Sequence, residues 1–593
     1  MSANPPNFLN VSKSVKGQAW VSRLGTVETR QAENIRQTHS VSEITARLLA
    51  ARGVTSETAA SHLEPTIRDL MPDPDTITDM AKAASRLAHA IQKGQRIAVF
   101  GDYDVDGAAS SALLTRYLSH FEITPTVYIP DRIFEGYGPN DTAIAELSAS
   151  HDLIVLVDCG TNSAKTLQAA TAKGVDCIVL DHHQVGGALP LIEAVANPNR
   201  DDDISGLEYL CAASVVFMAL VATQRILRNQ GIKNLPDLMA MLDLVAMATI
   251  CDVVPLKGLN RAFVKKGTLV ARQRSNVGMA ALADAARLSG PINTHHFGFM
   301  LGPRINAGGR IGNAALGAEL LAATQLDRAQ DIAAMLDKLN AERQAMEADM
   351  LAEAKATASV ELSGANPPSL LVLASTNWHP GIVGLIASRL KDAFHRPAFA
   401  IAIEPDGTCK GSARSIHGVD IGKLVQQAVE AGHLEKGGGH AMAAGLTARS
   451  DKLPALRAFF EEKAGEAISR LVATQSLKID AAITARAVNV ELLDTLDRCG
   501  PFGSAYPTPV FALPSHRVTH VKPVGSNHLR VDLASNDRGR VEAMAFGAAD
   551  SELGSFLTDA VGGAPIHIAG TVSPNTWRGE TRPQLRILDA AST

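Results

Sequence analysis

The sequence predicts an α/β protein of several domains: a doubly wound parallel sheet, a long connecting helix, a second α/β domain and a C-terminal β-barrel. Three observations predict it. Short apolar runs alternate with helical patterns from Ile97 to Leu180. Neither Gly nor Pro occurs between Gly317 and Gly364. From about Leu477 short β-type runs succeed one another, separated by turn residues. At 593 residues the chain is too long for one core.

The elements follow in order. Residues 1–40 are polar and aperiodic, and a loosely packed arm is expected. Residues 41–50 and 56–63 fit short helices, the second capped by Ser56. Pro65, Pro72 and Pro74 mark a linker. A helix is expected over residues 79–93, with Met80, Ala84, Leu87, Ala88 and Ile91 on one face. Strands are expected at 97–100, 126–129, 153–157 and 175–180, with helices at 108–118, 141–147 and 163–173. Two apolar helices follow, over 206–228 and 235–250. A second α/β pattern occupies 370–403.

Three of the strands end in chemistry. Asp102, Asp104 and Asp106 follow the first, between Gly101 and Gly107, where glycine lets the chain turn sharply. Asp158 follows another, and Asp181-His182-His183 a third. Ligands gather beyond the carboxyl ends of strands in such sheets. Carboxylates this close repel one another unless a cation sits among them. Clustered oxygen donors suit Mg²⁺ or Mn²⁺, and imidazole tilts the choice toward Mn²⁺. Asp252 sits at the carboxyl end of an apolar helix, where a cation would compensate it. If the 175–180 strand continued, His182 and His183 would point to opposite sides.

Three small-residue stretches read as phosphate-cradling turns: 302–310, with Arg304 and Arg310; 411–415, with Ser412 and Arg414; and 437–440, with Gly438, Gly439 and His440. The C-terminal β pattern fits an OB-fold. Lys522, His528, Arg530, Arg538, Arg540, Trp577, Arg578 and Arg582 supply basic and aromatic groups for single-stranded nucleic acid.

Composition narrows the class. Net charge is −5, so no global basic field draws the chain to nucleic acid or membrane, although a local groove can do so. Six Cys without a Cys-x-x-Cys pair argue against structural zinc and a disulfide framework. Cys159 and Cys251 read as small buried hydrophobes. No apolar run of about 18 residues is present, so a cytoplasmic, non-membrane protein is expected. Ser111 and Ser163 read as helix residues rather than nucleophiles.

The ordered set Gly101-Asp102-Tyr103-Asp104-Val105-Asp106-Gly107, Val157-Asp158-Cys159-Gly160, Asp181-His182-His183 and Cys251-Asp252 resembles the DHH phosphoesterase superfamily. Residues 412–415 and 437–445 are similar to its DHH-associated domain. Residues 129–132, 135–138, 302–310 and 378–381, with the trailing β domain, resemble the branch that digests single-stranded DNA from its 5′ end. The implied domains are 1–75 (arm and short helices), 76–318 (DHH catalytic), 319–363 (connecting helix), 364–470 (DHH-associated) and 471–593 (OB-fold-like).

The resemblance implies a metal-dependent 5′→3′ single-strand exonuclease of recombination and repair, releasing 5′-mononucleotides by two-metal hydrolysis. It implies Asp104, Asp106, Asp158, His182 and Asp252 as metal ligands, with Asp158 bridging. Asp102, Asp181 and His183 would complete the shell or touch the scissile phosphate. Arg132, Tyr137, Arg304, Asn306, Arg310, Ser412, Arg414, Gly438, Gly439 and His440 would hold the strand, which a narrow passage between the two α/β domains would admit. The partners implied are single-stranded DNA, a single-strand-binding protein and a helicase, with the enzyme a monomer. The alternatives are a DHH phosphodiesterase of short oligonucleotides or cyclic dinucleotides, and an inactive single-strand-binding component.

Overall fold

The computed structural model describes residues 7–131, 135–136, 138–577 and 580–593. The chain divides into two units: Met1–Gly309, Asn313–Met335 and Ser476–Thr593 form the first, and Arg310–Gly312 with Leu336–Gln475 the second.

In the first unit, the polar N-terminal segment from residue 7 onward is part of the fold, not the loose arm its composition predicts; residues 1–6 lie outside the described residues. Ala19–Ser22 forms strand β1, which pairs in parallel with a strand from beyond residue 475. Trp20 is fully buried, and its Nε1 donates to Asp589 Oδ2 at 3.0 Å. A helix follows over Thr26–His39, burying Ala32 and Ile35. Pairing with the far end of the chain leaves no local period to read. The helix Glu43–Ala50 is capped by Ser42, whose Oγ accepts from Thr45 N at 3.1 Å. Ser56 caps nothing, because the next helix is the short Ala59–Leu63, entered through Thr58.

The central sheet is built from β2 (Ile97–Phe100), β3 (Thr126–Tyr128), β4 (Leu153–Val157), β5 (Asp176–Leu180) and β6 (Ala194–Ala196). All neighbours are parallel, in the order β3-β2-β4-β5-β6. Strands β2 and β4 are apolar and buried throughout, as a sheet covered on both faces requires. The order reverses between β2 and β4, and a topological switch point of this kind opens a crevice beyond the strand ends.

The second unit carries β7 (Leu371–Ser375), β8 (Ala398–Ile403), β9 (Thr408–Arg414), β10 (Lys436–His440) and β11 (Ala443–Arg449), ordered β10-β11-β9-β8-β7. Only β7 and β8 run parallel. Residues 411–414 and 437–440 therefore lie in strands, not in the turns their small residues predict. Gly439 shows why: a Cβ there would overlap the Ala443 carbonyl of the adjoining strand. Between the two sheets in sequence, Leu326–Leu362 is one continuous helix of 37 residues, about 55 Å long.

The C-terminal region returns to the first unit. It adds β12 (Ser476–Ile479), the partner of β1, then β13 (Ala481–Ala482), β14 (Phe511–Val524), β15 (His528–Ala534), β16 (Arg540–Ala545), β17 (Ile566–Trp577) and β18 (Glu580–Ser592). The sequence β14-β15-β16-β18-β17 closes through β14–β17 pairing into a five-stranded barrel. Strand β14 is one long bent strand. Its first half pairs with β17 and its second with β15, the corner falling at Ser515, where φ is +54°. Among the described residues no helix is long and apolar enough to cross a membrane.

Candidate metal centre

The loop after β2 places three aspartates by three different devices. Asp104 is the N-cap of the helix Val105–Ser119: its Oδ1 accepts from Asp106 N at 2.9 Å and Gly107 N at 3.2 Å. Asp106, in the first turn, is buried. Its two oxygens accept from Ala212 N and Ala213 N at 2.7 and 2.8 Å, the start of the helix Ala212–Asn229. Asp102, also buried, lies at the strand's end. Gly101 and Gly107 do not make the turn through positive φ. A Cβ at 101 would overlap Ser111 Oγ, and one at 107 the Asp102 backbone. They are glycines for close approach.

Asp158 follows β4 with φ +59°, a conformation Asp tolerates better than most residues. Val253, next to Asp252, sits at φ +60°, where a β-branched residue is strained. Backbone held in this region clusters at functional sites.

Beyond β5 the strand does not continue, so His182 and His183 are not thrown to opposite sides. Both approach Asp158 Oδ1, His182 through Nε2 at 3.3 Å and His183 through Nδ1 at 3.9 Å. His182 Nε2 also lies 3.7 Å from Asp106 Oδ2 and 3.7 Å from Asp252 Oδ2. Asp181 organises the turn. Its Oδ1 accepts from His182 N, His183 N and His183 Nδ1 at 2.7, 3.2 and 2.7 Å, and its Oδ2 from Thr161 N at 3.1 Å.

The electrostatics divide the carboxylates. Burial penalises the Asp181 anion, but the hydrogen bond and charge of His183 outweigh it and hold its pKa well below the carboxylate range. Burial likewise opposes the charged form of His183, yet Asp181 raises its pKa to about 9. Burial first, then repulsion from Asp106, Asp104, Asp102 and Asp252, drives Asp158 well above its ordinary value. Asp252 is driven up the same way by burial, Asp106 and Asp104. Its buried Oδ2 accepts no hydrogen bond among the described residues. Three groupings could each hold a cation: Asp158-His182-His183, Asp106-His182-Asp252 and Asp102-Asp104-Asp158, their donor atoms mutually within 4.8 Å. Burial pushes the Cys159 and Cys211 thiols well up, so neither is a thiolate nucleophile.

Two residues at the site carried no sequence signal. Asn197, fully buried, donates to Thr161 Oγ1 at 2.9 Å and to the His183 carbonyl at 2.8 Å. Asn199 donates to the His182 carbonyl at 2.6 Å. They follow β6, which is three residues long and too short to show a period.

The stretch 302–310 is a helix, Gly302–Ile311, not a donor loop. It continues a helical run through a π-turn, Phe297–Leu301. Pro303 has no N–H and its ring crowds the preceding turn, which the wider π-turn accommodates. The glycines serve packing. A Cβ on Gly302 would meet Cys251 Sγ, beside Asp252, and one on Gly309 would overlap the Tyr103 ring, between Asp102 and Asp104. The helix therefore braces two segments of the site at once. Arg304 Nη1 donates to Met300 O at 2.6 Å, and Asn306 is half-buried.

In the second unit, Arg310 Nη1 donates to Gly381 O at 3.0 Å. Arg414 Nη1 donates to Ser412 Oγ at 2.8 Å. A Cβ at Gly384, in the first turn of the helix Val383–Phe394, would lie within 3.3 Å of both Ser412 and Arg414. Ser412 and Arg414 thus sit at a helix N-terminus, where anions are favoured. Gly438, Gly439 and His440 lie exposed on the edge strand β10. Arg132, Tyr137 and Arg578 fall outside the described residues, and nothing is described of the Trp577 side chain.

Family models match three stretches: the DHH family N-terminal domain over residues 96–249, the DHHA1 domain over 368–466 and the RecJ OB domain over 479–589. The single-stranded-DNA-specific exonuclease RecJ of Bacillus subtilis is 32% identical over 93% of this chain and 68% of its own length. The chain belongs to the RecJ family. The RecJ of Escherichia coli is 34% identical, over 82% of this chain and 85% of its own. A crystal structure of RecJ from Thermus thermophilus in complex with Mn²⁺ superposes with a TM-score of 0.76 at 28% identity, covering 95% of this chain and 78% of that one. A second structure of the same RecJ contains Mg²⁺.

Bracing by the RecJ-family helix Gly302–Ile311 is testable. In a helix Ala is favoured over Gly by about 1 kcal/mol. At Gly309 the Tyr103 ring reverses the sign, because overpacking costs about 1–3 kcal/mol. Gly309→Ala is expected to lower the thermal midpoint and to cut turnover by about 10-fold or more as the Asp102–Asp104 loop shifts. A stabilised, fully active variant would contradict the packing account.

Proposed function

We propose that the chain is a metal-dependent exonuclease that hydrolyses single-stranded DNA from its 5′ end, releasing 5′-mononucleotides. The observation that carries this reading is the convergence of Asp102, Asp104, Asp106, Asp158, His182 and Asp252 at the switch point between β2 and β4. Membership of the RecJ family supports the substrate.

The donor set fits hard divalent ions. Carboxylate oxygens crowd one another in a buried crevice, and the buried Asp252 Oδ2, which accepts no hydrogen bond among the described residues, would suit a cation. We assign Asp104, Asp106, Asp158, His182 and Asp252 as the residues that would hold such ions; Asp158 belongs to two of the groupings. Divalent ions bound there would lower the pKa of a water and stabilise the departing 3′ oxygen. The rest falls to side chains. Asp181 orients His183 through the 2.7 Å contact between its Oδ1 and the ring Nδ1, which suits His183 to contact a phosphate. Asn197 and Asn199 fix the backbone that carries both imidazoles. In the second unit Ser412, Arg414 and the N-terminus of Val383–Phe394 form an anion site suited to a terminal 5′-phosphate.

Polarity decides the reading. With Mn²⁺, a 5′-labelled single strand is expected to release labelled mononucleotide from the first turnovers, and a 3′-labelled strand only at the end. EDTA should stop both. Early release of the 3′ label, or equal attack on blunt duplex, would overturn the assignment.

A further inference from the structure

Only two phenylalanines are exposed among the described residues, Phe299 at 74% and Phe546 at 44%. A lone exposed ring carries no message, but neither of these is alone. Phe299 stacks on His295, with centroids 4.9 Å apart and planes at 25°. Phe546 meets His528 edge-on at 5.2 Å, and the Arg586 guanidinium covers its ring at 5.0 Å. His295 and Arg586 are themselves exposed.

The two groups have different origins. Phe546 follows β16, and His528 and Arg586 lie on β15 and β18 of the barrel. His295 and Phe299 ride on the helical run whose π-turn accepts a hydrogen bond at Phe297 O from Cys251 Sγ, at 3.3 Å, beside Asp252. They belong to the same unit. Burial, then the Arg586 charge, lowers the basicity of His295.

We propose that His295–Phe299 and His528–Phe546–Arg586 form one stacking surface for the bases of single-stranded DNA, running from the barrel toward the metal centre. Rings with interleaved cations are what a single strand recognises without regard to sequence. A protein partner would seek apolar area, and two isolated rings flanked by imidazole and guanidinium offer little of it. The surface extends the strand's path off the barrel onto the π-turn. The proposal rests on the reading of the chain as a single-strand exonuclease.

The test uses the full chain in EDTA, so that binding is read without hydrolysis. Affinity is measured for oligothymidylate of about 20 nucleotides, longer than one barrel's footprint, and for a strand of equal length with abasic residues. Phe299→Ala and Phe546→Ala are each expected to weaken oligothymidylate binding about 5- to 100-fold. Neither should change the abasic affinity by more than about 2-fold, since its phosphates remain. Phe299→Trp, which keeps a stacking ring, should bind oligothymidylate within about 2-fold of the parent. Unchanged oligothymidylate affinity in both variants would overturn the proposal. So would equal loss on the abasic strand. Failure of the exonuclease reading shows separately, as a wild-type chain that does not shorten the strand in Mn²⁺.

Discussion

Asp158→Asn is expected to abolish strand hydrolysis, lowering turnover by about 10³-fold or more, while single-strand binding in EDTA stays within about 2-fold of the parent. A metal site supplies several kcal/mol of transition-state stabilisation, and about 1.4 kcal/mol is a factor of ten in rate. Asp158 belongs to two of the three donor groupings, so its loss disturbs both. Asn is the sharper substitution because, like Asp, it tolerates the left-handed backbone found here. Ala would add strain to the loss of charge. A second sign is built into the test. In the metal-free chain Asp158 is destabilised by burial and by four neighbouring carboxylates. A neutral side chain of the same shape removes that repulsion, so the thermal midpoint in EDTA should rise while activity disappears. A variant that cuts within 10-fold of the parental rate would remove Asp158 from the chemistry.

How much of this centre was legible follows from which signals are local. An apolar run ended by an acid is local, and β2 with Asp102–Asp106, β4 with Asp158 and β5 with Asp181-His182-His183 stand where the sequence puts them. Asp252 at a helix end is local too. Asn197 and Asn199 were silent because β6 has three residues and pairs only at the sheet's edge. The 302–310 stretch misled because glycine reads as a breaker. Its reason for being glycine is contact with Cys251 and Tyr103, distant in sequence. The same cause hid β10, whose glycines answer to a neighbouring strand, and β1, whose partner lies at the other end of the chain. Elements specified by what they bury against, rather than by their own period, were the ones misread.

Arg261 supports the second large effect. Arg261→Met is expected to destabilise the first unit by about 2–6 kcal/mol, the cost of leaving two of its four buried carbonyl acceptors unpaired at about 1–3 kcal/mol each. Arg261 lies in the helix Gly258–Arg272 and is 1% exposed. Its guanidinium is held by carbonyls rather than by a carboxylate. The fork donates to four of them: Pro501 at 3.2 Å, His62 at 3.3 Å, Cys499 at 3.0 Å and Gly500 at 2.6 Å. Its plane covers the Tyr506 ring at 4.5 Å. Burial lowers its pKa, so the charge is kept only by those acceptors and that ring. The four carbonyls come from the N-terminal helices and from the segment leading into the barrel. Removing the fork strands them in an apolar setting, at about 1–3 kcal/mol for each that finds no water. Met fills most of the volume and isolates the polar loss from a cavity effect. Arg261→Lys should recover only part, because one ammonium cannot reach four acceptors in a fork. Urea unfolding gives the measurement. The neighbouring pair Arg52–Asp480, 2.8 Å apart and fully buried, would still tie the N-terminal helices to the barrel. Loss should therefore appear first as protease cleavage within residues 499–506, ahead of global unfolding. A change under about 1 kcal/mol with no new cleavage would mean that water replaces the fork, and that Arg261 does not hold the barrel's entry segment.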